Sequence, residues 1–383
     1  MKEYKEQAIY VGLFIATLIT TTISGAEWMY GRWLFFGEET MSWSDFMDGF
    51  QFSLPFLAIL TAHEFGHFFT ARMHQIKVSY PYYIPFWFGF IAMPSFGTMG
   101  AFIRIREKIY SRSQYFDVGV AGPIAGFVVA MFVIVYGFSN LPDPTWIYNV
   151  HPEYQEFGLD YAEHVYNQAG TISFQFGDNL IYWWFQNYYV TDSTLLPNPN
   201  EIIHYPYLLA GYLALFFTAL NLLPIGQLDG GHVIFGMFGQ KKAAIISKGA
   251  YLLFLFYAGL GWIKMDLLQD ASIDSTLYFG LMMAIYLYFL YICLSRMVLS
   301  KRNRLMYASI MLALQFVITT STQIEGYEGW MLFAFVVGRF LGVEHPPVSD
   351  NRPMTMGRQI VGWLAILVFV LSFSPKPFII VVS

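Results

Sequence analysis

A chain of 383 residues is long enough for two or three soluble domains, yet 56% of it is hydrophobic, 20% aromatic and only 12% charged. Those proportions exclude an ordinary soluble enzyme and a disordered chain, and describe a polytopic membrane protein. A net charge of −5 gives no support to a nucleic-acid partner. The single cysteine, Cys293, rules out an intrachain disulfide and a cysteine-built zinc site.

Apolar runs recur at about 9–26, 49–70, 116–138, 207–225, 249–265, 277–298, 305–321 and 359–373, most of them long enough to span a bilayer. A thirteen-residue run at 330–342 is short for a crossing, so eight or nine spans are expected. With a cytoplasmic N-terminus and a crossing at 330–342, the loops 27–48, 139–203, 264–276 and 321–329 hold eighteen acidic residues against two basic ones, Arg32 and Lys264. The remaining loops and the N-terminal tail hold seventeen basic and six acidic residues. This asymmetry follows the positive-inside rule and sets the orientation. The first run lacks a small-residue cleavage site and reads as a retained helix.

The expected fold class is an all-α polytopic membrane protein of about 8–9 transmembrane helices, with a re-entrant β-hairpin-like segment. Residues 1–48 form the first span and an outer loop, 49–235 a central membrane segment, and 236–383 accessory transmembrane helices. Aromatics in 27–48, among them Trp28, Tyr30, Trp33 and Trp43, read as an interfacial belt.

Within the second run, TAHEFGHFFT places His63 and His67 four residues apart. On a helix they share one face, with Glu64 beside them as a candidate general base, the HExxH pattern of zinc metalloproteases. Ionisable groups at such a depth must face protein, water or metal. The motif falls near the cytoplasmic end of its span, just before Arg72 and Lys77, so water can enter from that side.

From Val78 to Lys108, prolines and glycines interrupt aromatic segments, and Ala101–Arg106 alternates like a strand. This stretch reads as a re-entrant or interfacial hairpin leaning on the active-site helices, whose edge can pair with an extended substrate. In the third span, AGPIAGF (Ala121–Phe127) supplies small residues for close helix packing. Asp117 at its start can be a ligand or a helix-entry charge, and its place near the cytoplasmic interface favours the second. The 139–203 loop has eight acids and no Lys or Arg. It shows no strand pattern of a PDZ-like module, and His151, His164 and His204 are too scattered to assign a second metal site.

The fourth span ends in NLLPIGQLDGGH, Asn221–His232. A zinc ion held by two histidines needs a third protein ligand and leaves a position for water. Asp229 offers that carboxylate, after a helix broken at Pro224 and before two glycines that let the backbone bend toward a metal. Asn221 offers an amide that can stabilise a substrate oxyanion or pair with a neighbouring helix. His232 can compete as a ligand, but it lies one turn further toward water and reads as a residue that supports the ligands or sits at the interface. Residues 241–248 read as a basic cytoplasmic turn, and GVEHPPVSDNRP (Gly342–Pro353) as a Pro-rich turn carrying Glu344 and His345.

HEFGH, AGPIAGF and NLLPIGQLDGGH together resemble the site-2 protease family of intramembrane zinc metalloproteases, over roughly residues 49–235, which the resemblance makes a three-helix catalytic membrane core. Without a PDZ pattern, the chain looks like the PDZ-less branch. The resemblance implies one Zn2+ per chain held by His63, His67 and Asp229, Glu64 as general base and acid, and Asn221 as a carbonyl-positioning group. It also implies partners: single-pass or pre-cleaved membrane protein substrates in the lipid bilayer. The expected location is the bacterial inner (cytoplasmic) membrane, with the N-terminus and active site toward the cytosol. The alternative is a metal-binding membrane transporter or non-proteolytic relative, which would want more polar residues along its spans. A protease of the prenyl-protein-processing kind would want a Glu ligand on a later helix, and the later spans offer none.

Overall fold

The computed structural model describes residues 2–37, 39–168, 170–263, 273–297, 300–322 and 324–382. Most of the expected outer loop 264–276, including Lys264, lies outside them. The chain divides into two compact units. The first comprises Met1–Ile109, Asp117–Asn221 and Trp363–Ser383, and the second Tyr110–Phe116 and Leu222–Gly362.

Twelve α-helices run in chain order among the described residues: α1 Lys2–Tyr30, α2 Trp43–Asp48, α3 Phe50–Met73, α4 Arg112–Ser139, α5 Tyr161–Val165, α6 Leu180–Trp184, α7 Pro206–Leu222, α8 Asp229–Ala258, α9 Ile273–Cys293, α10 Lys301–Thr322, α11 Trp330–Val336 and α12 Met356–Ser372. Every apolar run read from the sequence lies mainly on one of them. Among the described residues, four helical segments, Glu6–Tyr30, Arg112–Ser139, Ser275–Arg296 and Lys301–Thr322, are long and apolar enough to cross a membrane. Pro206–Leu222, Trp330–Leu341 and Met356–Ser372 are shorter apolar helices.

The chain is helical but not purely so. Strands β1 (Tyr82–Pro85) and β2 (Thr98–Phe102) form an antiparallel hairpin, and β3 (Ile172–Phe176) pairs antiparallel with β4 (Phe378–Val382). The hairpin was expected, although its second strand begins at Thr98 and only an isolated bridge, Val78 to Ile105, continues beyond it. The β3–β4 sheet was not expected, because its partners lie some two hundred residues apart.

In the first unit the hairpin is tied along α1. Tyr10 donates to Tyr82 at 3.2 Å, Thr20 to the Gly97 carbonyl at 2.7 Å, and the Trp28 indole to the Ser95 carbonyl at 2.8 Å. Gly97 adopts φ +76°, and a Cβ there would fall 2.3 Å from the Thr21 Cα, so only glycine lets the hairpin lie this close. The apolar core gathers on α7, where Leu208, Leu209, Tyr212 and Leu213 pack with Phe52 and Phe56 of α3 and Ile134 of α4. The Tyr212 hydroxyl reaches the carbonyls of Gly177 and Pro377, at 2.6 and 2.8 Å. One buried side chain thereby fastens the entry to the β3–β4 sheet.

In the second unit, residues 241–248 are not a turn. Lys241, Lys242 and Lys248 belong to α8, whose regular geometry breaks earlier, at Gly239 with φ +73°. Arg112 donates to the Gly236 carbonyl there at 2.8 Å, supplying a partner for a backbone acceptor next to the kink. Lys248 pairs with Glu344 at 2.8 Å. The Tyr251 hydroxyl lies 2.9 Å from the Cys293 carbonyl and 3.0 Å from that of Ala334, linking α8 to α9 and α11.

Candidate active site

Helix α3 carries the HEFGH motif. Successive turns bring His63 and His67 onto one face, with their Nε2 atoms 3.0 Å apart, as the i, i+4 spacing requires. The His67 Nδ1 lies 2.7 Å from the Val118 carbonyl. A carbonyl only accepts, so Nδ1 carries the proton and Nε2 keeps its lone pair. Glu64 is buried beside them, its Oε1 4.0 Å from the His63 Nε2.

The small residues of α4 have a specific task here. A Cβ on Gly122 would fall 2.1 Å from the His67 Nε2, and one on Gly126 would fall 3.1 Å from the His63 Cβ. On α3 itself, a Cβ on Gly66 would fall 2.6 Å from the Ala121 carbonyl oxygen. Glycine on both helices allows the backbones to approach and leaves room for the imidazoles.

A cavity of about 140 Å³ opens on this face. His63 and Glu64 line it from α3, Met99 and Gly100 from β2, and Thr218 and Asn221 from α7. The Asn221 amide nitrogen lies 3.4 Å from the His63 Nε2. The first unit therefore brings together His63, Glu64, His67 and Asn221. Its donor chemistry fits zinc: two imidazole nitrogens converge in a buried site, and one of them is oriented by a backbone carbonyl in the manner of metal-ligating histidines.

Asp229 belongs to the second unit, as the first residue of α8. Its two following glycines serve a tight reversal of the chain. A Cβ on Gly230 would fall 2.0 Å from the Leu222 carbonyl oxygen, and one on Gly231 would fall 2.2 Å from that of Gly226. Also in that unit, the His232 Nδ1 lies 2.9 Å from the His345 Nε2, and His345 stacks on Phe235 at 3.9 Å. Asp117 pairs with His74 at 2.8 Å.

Residues 51–258 match the profile of peptidase family M50, and the chain belongs to that family, the site-2 protease family. It is 27% identical over 205 residues to a rice (indica) protein named "Probable zinc metalloprotease EGY2, chloroplastic", covering 52% of this chain and 31% of the relative. It is 30% identical over 203 residues to an Arabidopsis thaliana protein named "Probable zinc metalloprotease EGY1, chloroplastic", covering 51% and 31%. The chain thus spans about a third of the length of the curated relatives it matches. No solved structure matches it.

Proposed function

We propose that this protein is an intramembrane zinc metalloprotease that hydrolyses peptide bonds within or near transmembrane segments of other membrane proteins. The observation that carries the reading is the buried His63–Glu64–His67 group, of which His63 and Glu64 line a cavity shared with β2 and Asn221. Family membership and the zinc metalloprotease names of the relatives support it.

His63, His67 and Asp229 are the proposed zinc ligands, Asp229 on the strength of its LDGG motif. Zinc would supply Lewis-acid polarisation of the scissile carbonyl and an acidified water. Glu64 takes a proton from the attacking water and returns it to the leaving amine. Asn221 holds the scissile carbonyl through its amide, where charge develops. Met99 and Gly100 border the cavity, so a substrate segment unwound from its helix can lie extended along β2 and reach Glu64. Unwinding is required because a helix hides its carbonyls in internal hydrogen bonds.

Substrates are proposed to be single-pass or pre-cleaved membrane proteins, as the resemblance to the site-2 protease family implies, with 49–235 as the catalytic core. The proposed setting is a bacterial inner membrane with the site facing the cytosol; the charge asymmetry of the loops supports the facing, and the bacterial setting comes from the resemblance alone. The test is zinc content of the detergent-purified chain. His63→Ala and Asp229→Ala should each lose one zinc ion per chain relative to wild type; unchanged content in either removes that ligand.

A further inference from the structure

The sequence offered no reason to join His151 to His204, yet the folded loop brings them together. Their Nε2 atoms lie 3.4 Å apart, and Glu201 Oε2 lies 3.3 Å from that of His204. One ligand atom from each of the three residues falls within 4.8 Å of the other two. All three belong to the first unit.

The tautomers follow from the other ring nitrogens. The His204 Nδ1 lies 2.8 Å from the Met29 carbonyl, and the His151 Nδ1 lies 3.0 Å from Glu153 Oε1. Both partners are acceptors, so both Nδ1 atoms donate, and in the neutral rings both Nε2 atoms carry lone pairs. Those lone pairs converge on each other and on a carboxylate oxygen. Glu201 is 1% exposed. Its Oε1 accepts from the Tyr166 hydroxyl, while Oε2 is buried with no hydrogen-bond partner.

Three converging acceptors repel unless a cation lies among them. A tetrahedral zinc ion with bonds of 2.0–2.1 Å spaces its ligand atoms by about 3.3–3.4 Å, which matches both measured edges. The Nδ1 partners supply the orienting carbonyl and carboxylate typical of metal-bound histidines. His204 also borders a cavity of about 350 Å³, through which an ion can arrive.

We propose that His151, Glu201 and His204 form a second divalent-metal site, of zinc type, that fastens the 139–203 loop to the end of α1 and the start of α7. The ion is structural: it ties residues about fifty positions apart in the chain to the Met29 carbonyl through His204.

The test uses the full chain in detergent, stripped with chelator and titrated with Zn2+, and with Co2+ as a spectroscopic probe. The double variant His63→Ala/His67→Ala isolates the second site from the proposed catalytic one. It should still bind one ion per chain, with the Co2+ absorption of a tetrahedral N/O site, and Zn2+ should raise its unfolding temperature. Adding Glu201→Gln, which conserves shape, or His151→Ala, which is partly exposed, should abolish both effects. Glu153→Gln should weaken binding about 10–100-fold. If the double variant folds and binds no ion, or if Glu201→Gln and His151→Ala leave binding unchanged, the proposal is overturned. An unfolding temperature that responds to pH but not to metal would mean that a proton holds the three groups together, and overturns it equally.

Discussion

Gly122 on α4 stands so close to His67 on α3 that a Cβ would fall 2.1 Å from the imidazole Nε2. A residue with no part in the chemistry thereby decides whether a proposed zinc ligand can take its position. Gly122→Val should displace the ring from the Val118 carbonyl and lower zinc affinity about 10–100-fold. The check is a competition titration against a chelator, with retained helicity by circular dichroism separating displacement from unfolding.

Asn221 should act on the bound substrate. Asn221→Ala is expected to keep zinc stoichiometry and lower kcat by about 10²-fold with a smaller change in KM, the behaviour of an oxyanion donor. Loss of zinc in this variant would instead make the 3.4 Å contact to His63 a structural one.

Tyr212 ties α7 to the segments flanking β3 and β4. Tyr212→Phe should remove a buried donor shared by two carbonyls and cost about 1–3 kcal/mol. That would be read as a lower unfolding temperature with membrane insertion intact.

His345 gives the stability a pH dependence. Burial, and then the neighbouring His232, push its pKa down to about 3, and it faces Tyr115 and Phe235 as well. An unfolded histidine titrates at about 6.5, so below that value the unfolded chain binds the extra proton. The contribution is therefore present above about pH 6.5 and is lost progressively as pH falls toward 3. The unfolding temperature should drop between pH 7 and pH 4, and His345→Gln should flatten that drop; an identical slope would contradict the assignment.

Features carried by local spacing were legible in the sequence. HEFGH needs only the helical repeat to place two histidines on one face, and AGPIAGF needs only small side chains to admit a neighbour. Pro224 ended its helix as expected, with α7 stopping at Leu222 and α8 starting at Asp229. Features made by distant pairing were not legible. His151 and His204 meet because 3₁₀ turns fold the loop back on α1, and nothing in their spacing signals it. β3 (ISFQF) alternates apolar and polar residues over only five positions within a long loop, and β4 (FIIVV) is a five-residue apolar run; neither announces a strand until the two pair. Lys241 and Lys242 looked like a turn because they interrupt an apolar run, yet lysine is a good helix former, and the irregularity falls at Gly239 instead.

The account turns on Glu64. The most direct measurement reconstitutes the wild-type chain and Glu64→Gln into liposomes with a single-span test protein whose helix contains a glycine or proline, and follows cleavage by mass spectrometry. The account predicts cutting within or beside the span by the wild type. In Glu64→Gln it predicts a loss of at least about 10²-fold, with the zinc content unchanged. Cleavage at the same rate by the variant would contradict it.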